Sequence, residues 1–295
     1  MKQIASIARR ITIIVLCCGR AWSQAQDLTP LLPPAASGAE RVRSALLAGD
    51  LTGARTLASS LDPPTRDLWN GLVAIAGNDS TAAIGCLRRN GSSPKALGVA
   101  YYLARQHLLF RQQMEKAIAA DPSDFGPYYY LGRHFDSDLD NPEEAARWFT
   151  QSLEHNPGYL RARSYLASCF ERLGRRSEAE AAYQASASLA ESQLGLARLR
   201  LGEAPASALP FIQKALALAP RDPKAWKLAA RLHTALARPA DAVAALESAA
   251  ALAPHDASTR YLLYRACQAL GDSHKASAAL AEFERLRAIY GIQPQ

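Results

Sequence analysis

Small and bulky apolar residues return in one phase along most of this chain. Twelve residues before Pro122, Pro157, Pro220 and Pro254 stand Phe110, Ala145, Ala208 and Ala242; eight before stand Met114, Phe149, Ile212 and Leu246; five before stand Ala117, Ser152, Ala215 and Ala249. Offsets of four and three place such residues on one face of an α-helix. There the small side chain lets a neighbouring backbone approach, and the bulky one fills the space beyond it. Proline has no N–H to continue a helix and biases the residue before it away from helical geometry. Each run therefore predicts a helix that stops at its proline. Glu191 takes the proline's place in a copy that keeps Ala179, Tyr183 and Ser186, while Ala276, Leu280 and Phe283 keep the spacing before Ala288. Steps of 35, 34, 29, 34 and 34 residues separate these end points, and a period of that size means stacked repeating units.

A second helix precedes each run. Tyr128-x-x-Leu131-Gly132-x-x-Phe135 comes before Ala145-x-x-x-Phe149 and Pro157, and the whole arrangement resembles the tetratricopeptide repeat signature. Arg163, Leu166, Ala167 and Phe170 before Ala179-x-x-x-Tyr183 make another copy, as do Trp226, Ala230 and His233 before Ala242-x-x-x-Leu246; Leu97-Gly98-x-x-Tyr101 phases with Pro122. The resemblance implies an all-α fold, a right-handed superhelical solenoid of about seven or eight stacked antiparallel helix pairs, with residues 94–288 as the repeats. Residues 38–93 read as irregular N-terminal helix pairs, with Gly49-Asp50 and Gly77-Asn78 as turn signals. Residues 24–37, containing Pro30, Pro33 and Pro34, read as a Pro-rich linker, and 289–295 as a C-terminal tail. Two joints break the phase. The unit ending at Pro220 is about five residues short, and Pro94, taken as the close of a unit with Ala82 and Cys86, overlaps the signature beginning near Gly91.

Composition supports helices: 49% apolar and 21% charged residues are ordinary for a globular chain, and 7% aromatics favour packing through small side chains over sheets. The first residues are a different matter. Lys2, Arg9 and Arg10 precede the apolar run Ile11 to Cys18, then Ala21-Trp22-Ser23, with Ser23-Gln24-Ala25 as a second candidate cleavage site. Residues 1–23 thus read as a signal peptide, and the protein as periplasmic or secreted in a bacterial-type cell. An uncleaved anchor is the alternative, although the short run ended by Arg20 falls below the roughly 20 apolar residues that span a bilayer. A lipid on Cys17 or Cys18 is a third reading, against which neither cysteine follows the small residue of a lipobox.

Losing 1–23 leaves 30 basic against 27 acidic residues, a net of +3, without the dense basic stripe of a nucleic-acid binder. Of five cysteines, Cys86, Cys169 and Cys267 lie outside the leader. They are far apart and sit at apolar helix positions, so they read as small buried residues and form no disulfide framework.

Chemistry-bearing motifs are sparse. The stretch His134 to Asn141 has the alternate aspartates of a calcium loop, but Asn141 stands at the sharp-turn glycine and Arg147 at the bidentate glutamate. It reads instead as a turn, with Asp140 or Asn141 capping a helix that opens Pro142-Glu143-Glu144. The six histidines show no His-x-x-x-His pair, and there is no phosphate loop or nucleophile elbow. No catalytic residue, metal or cofactor is assigned, and the chain reads as no enzyme.

Resemblance to the family implies a binding face formed by one side of each first helix, here carrying Tyr129, Arg133, Arg161, Ser164, Ser168, Arg172, Lys224, Lys227, Arg231, Tyr261 and Arg265. Lys227 and Arg231 look like the last basic pair of the family's carboxylate clamp, whereas Ser164 and Ser168 stand where a clamp has asparagine. The same residues also read as a solvated helix face. The function expected is an exported scaffold that holds a protein or peptide, acidic or carboxylate-ended, in its groove. The alternatives are an enzyme or enzyme subunit with a groove site, and a purely architectural envelope component.

Overall fold

Short polar side chains open many of the helices. Asp50, Asp62, Asp79, Ser93, Asp124, Asn141, Asp222 and Asp256 each accept a hydrogen bond from a backbone N–H in the following turn, satisfying donors that a helix start leaves without intrahelical partners. The computed structural model describes residues 28–33, 39–91 and 93–290. Its helices are α1 Glu40–Leu47, α2 Leu51–Ser59, α3 Pro63–Ala76, α4 Ser80–Asn90, α5 Pro94–Leu103, α6 His107–Ala120, α7 Phe125–Ser137 and α8 Pro142–His155, followed by α9 Leu160–Arg172, α10 Arg176–Ala185, α11 Ala190–Leu201, α12 Leu209–Leu218, α13 Pro223–Ala235, α14 Pro239–Leu252, α15 Ala257–Leu270 and α16 Ser273–Tyr290. A 3-10 turn, Pro205–Ala208, leads into α12. Among the described residues there is no strand, and successive helices pack as hairpin pairs.

The chain divides into two compact units, one ending at Gly158 and one beginning at Tyr159. In the first, four pairs bury Trp69, Leu72, Ile75, Leu87, Phe110, Met114, Tyr129 and Phe149. Two first-helix glycines show why small residues recur there. A Cβ on Gly132 would lie 2.7 Å from the Phe149 ring, and one on Gly98 would lie 2.4 Å from the end of Met114. The small and bulky positions read from the sequence are thus opposite sides of one helix–helix contact. In the second unit Leu194, Ile212, Leu228, Leu232, Leu246 and Leu263 form one core cluster, and Ala167, Ala179, Tyr183 and Leu196 a second.

Turns within seven of the eight described pairs carry one residue in the left-handed region, Gly49, Asn78, Arg105, Asp140, Gly174, Ala237 and Gly271, and the α11–α12 joint has the 3-10 turn in its place. Glycine adopts that conformation without a Cβ clash, and Asn and Asp tolerate it, so Arg105 and Ala237 are the residues for which it is least favourable.

The two irregular joints resolve differently from the sequence reading. Pro94 does not close a unit; it is the first residue of α5, with Ser93 as its cap, a position where proline's missing N–H costs nothing. Glu191 does not terminate one either. It lies in the first turn of α11, where a carboxylate meets the positive helix end. The shortfall accordingly falls one unit earlier than the spacing placed it: α10 has 10 residues where α8 has 14, and α11 begins sooner. Asn141, and not Asp140, caps α8 through Glu144 N at 3.1 Å. Cys169 and Cys267 are buried, and Cys86 is half-buried with its thiol 3.3 Å from an Arg89 nitrogen.

Within 24–37, Leu28, Pro30 and Leu31 are buried, and the Pro30 carbonyl approaches Gly126 closely enough to exclude a Cβ there. α16 continues past 288 to Tyr290. The proposed signal peptide and residues 291–295 lie outside the described residues.

Candidate partner-binding surface

First helices of successive pairs are tied by a recurrent ion pair. Lys227, on α13, places its Nζ 2.8 Å from Asp256 Oδ2 and 3.3 Å from Ser258 Oγ. Asp256 also caps α15, accepting from Ser258 N at 3.0 Å and from the Thr259 hydroxyl at 2.7 Å. Burial alone would push the Asp256 carboxyl up; the bonds from Lys227, Thr259 and Ser258 outweigh it and hold the group below its ordinary value. Lys95 and Asp124 repeat the arrangement between α5 and α7 at 2.5 Å, and Arg161 and Glu191 between α9 and α11 at 3.9 Å. In each case a cation reaches the acidic start of the next first helix.

That geometry sorts the residues expected on the binding face. Tyr129 is 2% exposed, so its ring lies in the first unit's core, and the half-buried Arg133 sits over it with Nη1 3.3 Å from its hydroxyl. Tyr129 thus offers a partner no open ring. In the second unit Arg161 and Lys227 are half-buried and engaged in the pairs above, Ser164 is buried, Ser168 is half-buried and Arg172 is exposed. Lys224, Arg231, Tyr261 and Arg265 are exposed. Lys224 and Arg231 are two turns apart on α13, and Tyr261 and Arg265 one turn apart on α15, so each pair shares a helix face. The Tyr261 ring is 41% exposed and leans on Phe283 at 5.2 Å between centroids. With α13 and α15 bridged by Lys227 and Asp256, these four residues present three cations and one aromatic ring on neighbouring first helices.

Two polar groupings escaped the sequence reading. Arg198 on α11 grips Glu171 on α9 with two bonds, 2.9 and 2.8 Å, and both meet the Tyr183 hydroxyl, Tyr183 donating to Glu171 at 2.8 Å. Burial opposes ionisation of Glu171, yet the Arg198 guanidinium holds its carboxyl below the ordinary range. Burial pushes the Tyr183 hydroxyl upward, with the adjacent carboxylate adding to it. These residues lie on three helices, and no local spacing links them. The second grouping joins α5–α6 to α7. His134 Nδ1 is 3.0 Å from Asp138 Oδ2, and the His107 ring stacks on His134 at 5.1 Å between centroids. Its one visible sequence signal is His134-x-x-x-Asp138, a single helical turn.

Residues 138–193 match a family model described as tetratricopeptide repeat. No curated protein matches the chain. Solved structures similar to it include PilW, a widely conserved type IV pilus biogenesis factor, at 18% identity and a TM-score of 0.60, covering 68% of this chain and 93% of that one. The pilF protein of Pseudomonas aeruginosa is similar at 18% identity and a TM-score of 0.58, covering 67% and 93%. A tetratricopeptide repeat protein from Parabacteroides merdae aligns at 14% identity and a TM-score of 0.53, covering 85% and 95%. At these identities the likeness is one of fold.

Proposed function

We propose that this chain, a helical-repeat protein of the tetratricopeptide type, is an exported scaffold that holds an acidic or carboxylate-ended protein segment on the first-helix face of α13 and α15. Folds of this type serve protein–protein interaction, and the exposed set Lys224, Arg231, Tyr261 and Arg265 supports the location. Long cations give charge-assisted bonds to carboxylates, and an exposed tyrosine adds rigid contact area; such side chains dominate interface energetics. Lys227 belongs to the framework of this face, since its ammonium is already committed to Asp256.

The test selects peptides with free acidic carboxyl termini against the protein and titrates the tightest binder into two charge-matched variants. Arg231→Glu with Arg265→Glu should weaken binding at least ~10-fold, because repulsion replaces a charge-assisted contact. Lys214→Glu with Arg238→Glu, on α12 and in the α13–α14 turn, should change it little. Equal losses in both would mean a net-charge effect and would remove the assignment.

Export rests on Lys2, Arg9 and Arg10, the apolar run Ile11 to Cys18 and the small residues around Ser23. Intact mass of protein made in an exporting host should place the mature start at Gln24 or Gln26. A retained leader would remove the localisation.

A further inference from the structure

We propose that His107, His134 and Asp138 form a binding site for one divalent transition-metal ion, with zinc as the ion of choice. The three residues come from the start of α6 and the last turn of α7 and its cap, and their ligand atoms all lie within 4.8 Å of one another. Two imidazoles and one carboxylate form a donor set suited to zinc. The spacing fits as well. Ligands about 2.0–2.2 Å from a tetrahedral zinc sit roughly 3.3 Å from one another. His134 Nδ1 and Asp138 Oδ2 are already 3.0 Å apart, and His107, whose ligand atom lies within 4.8 Å of theirs, needs a side-chain adjustment of up to about 1.5 Å.

The surroundings point the same way. The His134 and Asp138 side chains are only 3% and 15% exposed, and His107 Nδ1 is buried without a hydrogen-bond partner. A buried imidazole nitrogen in that condition is costly unless something takes its lone pair. Tyr102 is hydrogen-bonded to Asp138 and packs edge-on against both His107 and His134, as a residue that orients ligands would. Arg105 approaches the other carboxylate oxygen, Oδ1, at 3.5 Å and is mostly exposed, so an ion at Oδ2 would replace the His134 hydrogen bond and leave the Arg105 pair in place. Three protein ligands leave a fourth position for water or for a side chain of a bound partner. Ligating imidazoles are neutral, so metal binding displaces any proton shared between His134 and Asp138, and affinity falls in acid.

The experiment titrates zinc calorimetrically into the chelator-stripped whole chain, and in parallel records the absorption of cobalt(II) bound to it. One equivalent of zinc should bind. Cobalt should show the visible bands of a four-coordinate site without the sulfur-to-metal absorption that Cys86 would contribute. His107→Gln and Asp138→Asn should each weaken zinc at least ~10-fold, in line with loss of one ligand, while His274→Gln, an exposed histidine elsewhere, should leave it unchanged. No saturable binding, or zinc affinity unchanged in His107→Gln and Asp138→Asn, would overturn the site. Should His107→Gln fail to fold, Asp138→Asn and the cobalt spectrum of the unaltered chain decide.

Discussion

A single methyl group tests the packing rule of the repeats. At Gly132 the added Cβ would meet the Phe149 ring at 2.7 Å, and at Gly98 it would meet the terminal carbon of Met114 at 2.4 Å. Phe149 is fully buried and its ring is rigid, whereas the thioether end of Met114 can rotate away. Gly132→Ala should therefore cost about 1–3 kcal/mol of overpacking. Gly98→Ala should cost less despite the shorter distance, and urea unfolding of the two variants checks the order. Glu171 carries a prediction about pH. Its carboxyl is held below the ordinary range in the folded chain by Arg198, so its stabilisation is fully present above the unfolded value of about 4.3 and is lost as pH falls through the lower folded value. Glu171→Gln should be less stable than the parent at pH 7, because the guanidinium of Arg198 then lacks its carboxylate. The gap should close toward pH 3 in urea titrations; a gap that stays constant with pH would show that the bidentate pair contributes nothing specific to the charged form.

Most helices were legible from spacing because both of their constraints are local: an apolar stripe with a period near 3.6 residues and a terminator one turn past it. Pro94 and Glu191 misled because proline and glutamate favour the first turn of a helix as much as proline favours the stretch after one. Spacing alone cannot tell the end of one element from the start of the next. The proposed binding face was legible only in part. Exposed Lys224, Arg231, Tyr261 and Arg265 follow from helix periodicity, but the burial of Tyr129 depends on packing that includes Phe149 of its partner helix, and the engagement of Lys227 depends on Asp256 of the next pair. A signal for the latter does exist: a first-helix cation and an acid 29 residues downstream, at the start of the next first helix, as in Lys95 with Asp124 and Lys227 with Asp256. These ties set the expected order of two element-scale variants. Lys227→Ala removes one partly exposed ion pair and should cost less than ~1 kcal/mol. Asp256→Ala removes the same pair together with the α15 cap and the bonds from Ser258 and Thr259, and should cost about 1–2 kcal/mol. If thermal unfolding reversed that order, the carboxylate would be a weaker organiser of α15 than its geometry implies.

At the scale of the whole molecule the period seen in the sequence is continuous, while the compactness of the chain is not. One compact unit ends at Gly158 and the other begins at Tyr159. Nothing in the repeat phase marks that division, since Ala145, Phe149 and Pro157 keep the same spacing as every other copy. Repeat arrays are stabilised by intrinsic repeat energies and nearest-neighbour interfaces, so a block of four pairs with its own core has what it needs to fold. The second unit has such a core: Leu194, Ile212, Leu228, Leu232, Leu246 and Leu263 are all buried in one cluster. It also contains α13 and α15, and with them the whole proposed partner surface. A fragment spanning residues 159–290 should therefore be helical by circular dichroism and unfold cooperatively in urea. It should bind the peptide selected with the full chain to within about threefold, or ~0.7 kcal/mol, because no residue of the surface is lost. A folded fragment that failed to bind would place essential contacts before Tyr159 and return the search to the neighbourhood of Arg133. An unfolded fragment would show that its four pairs need the preceding repeats, and that compactness of contacts does not make this unit an independent domain.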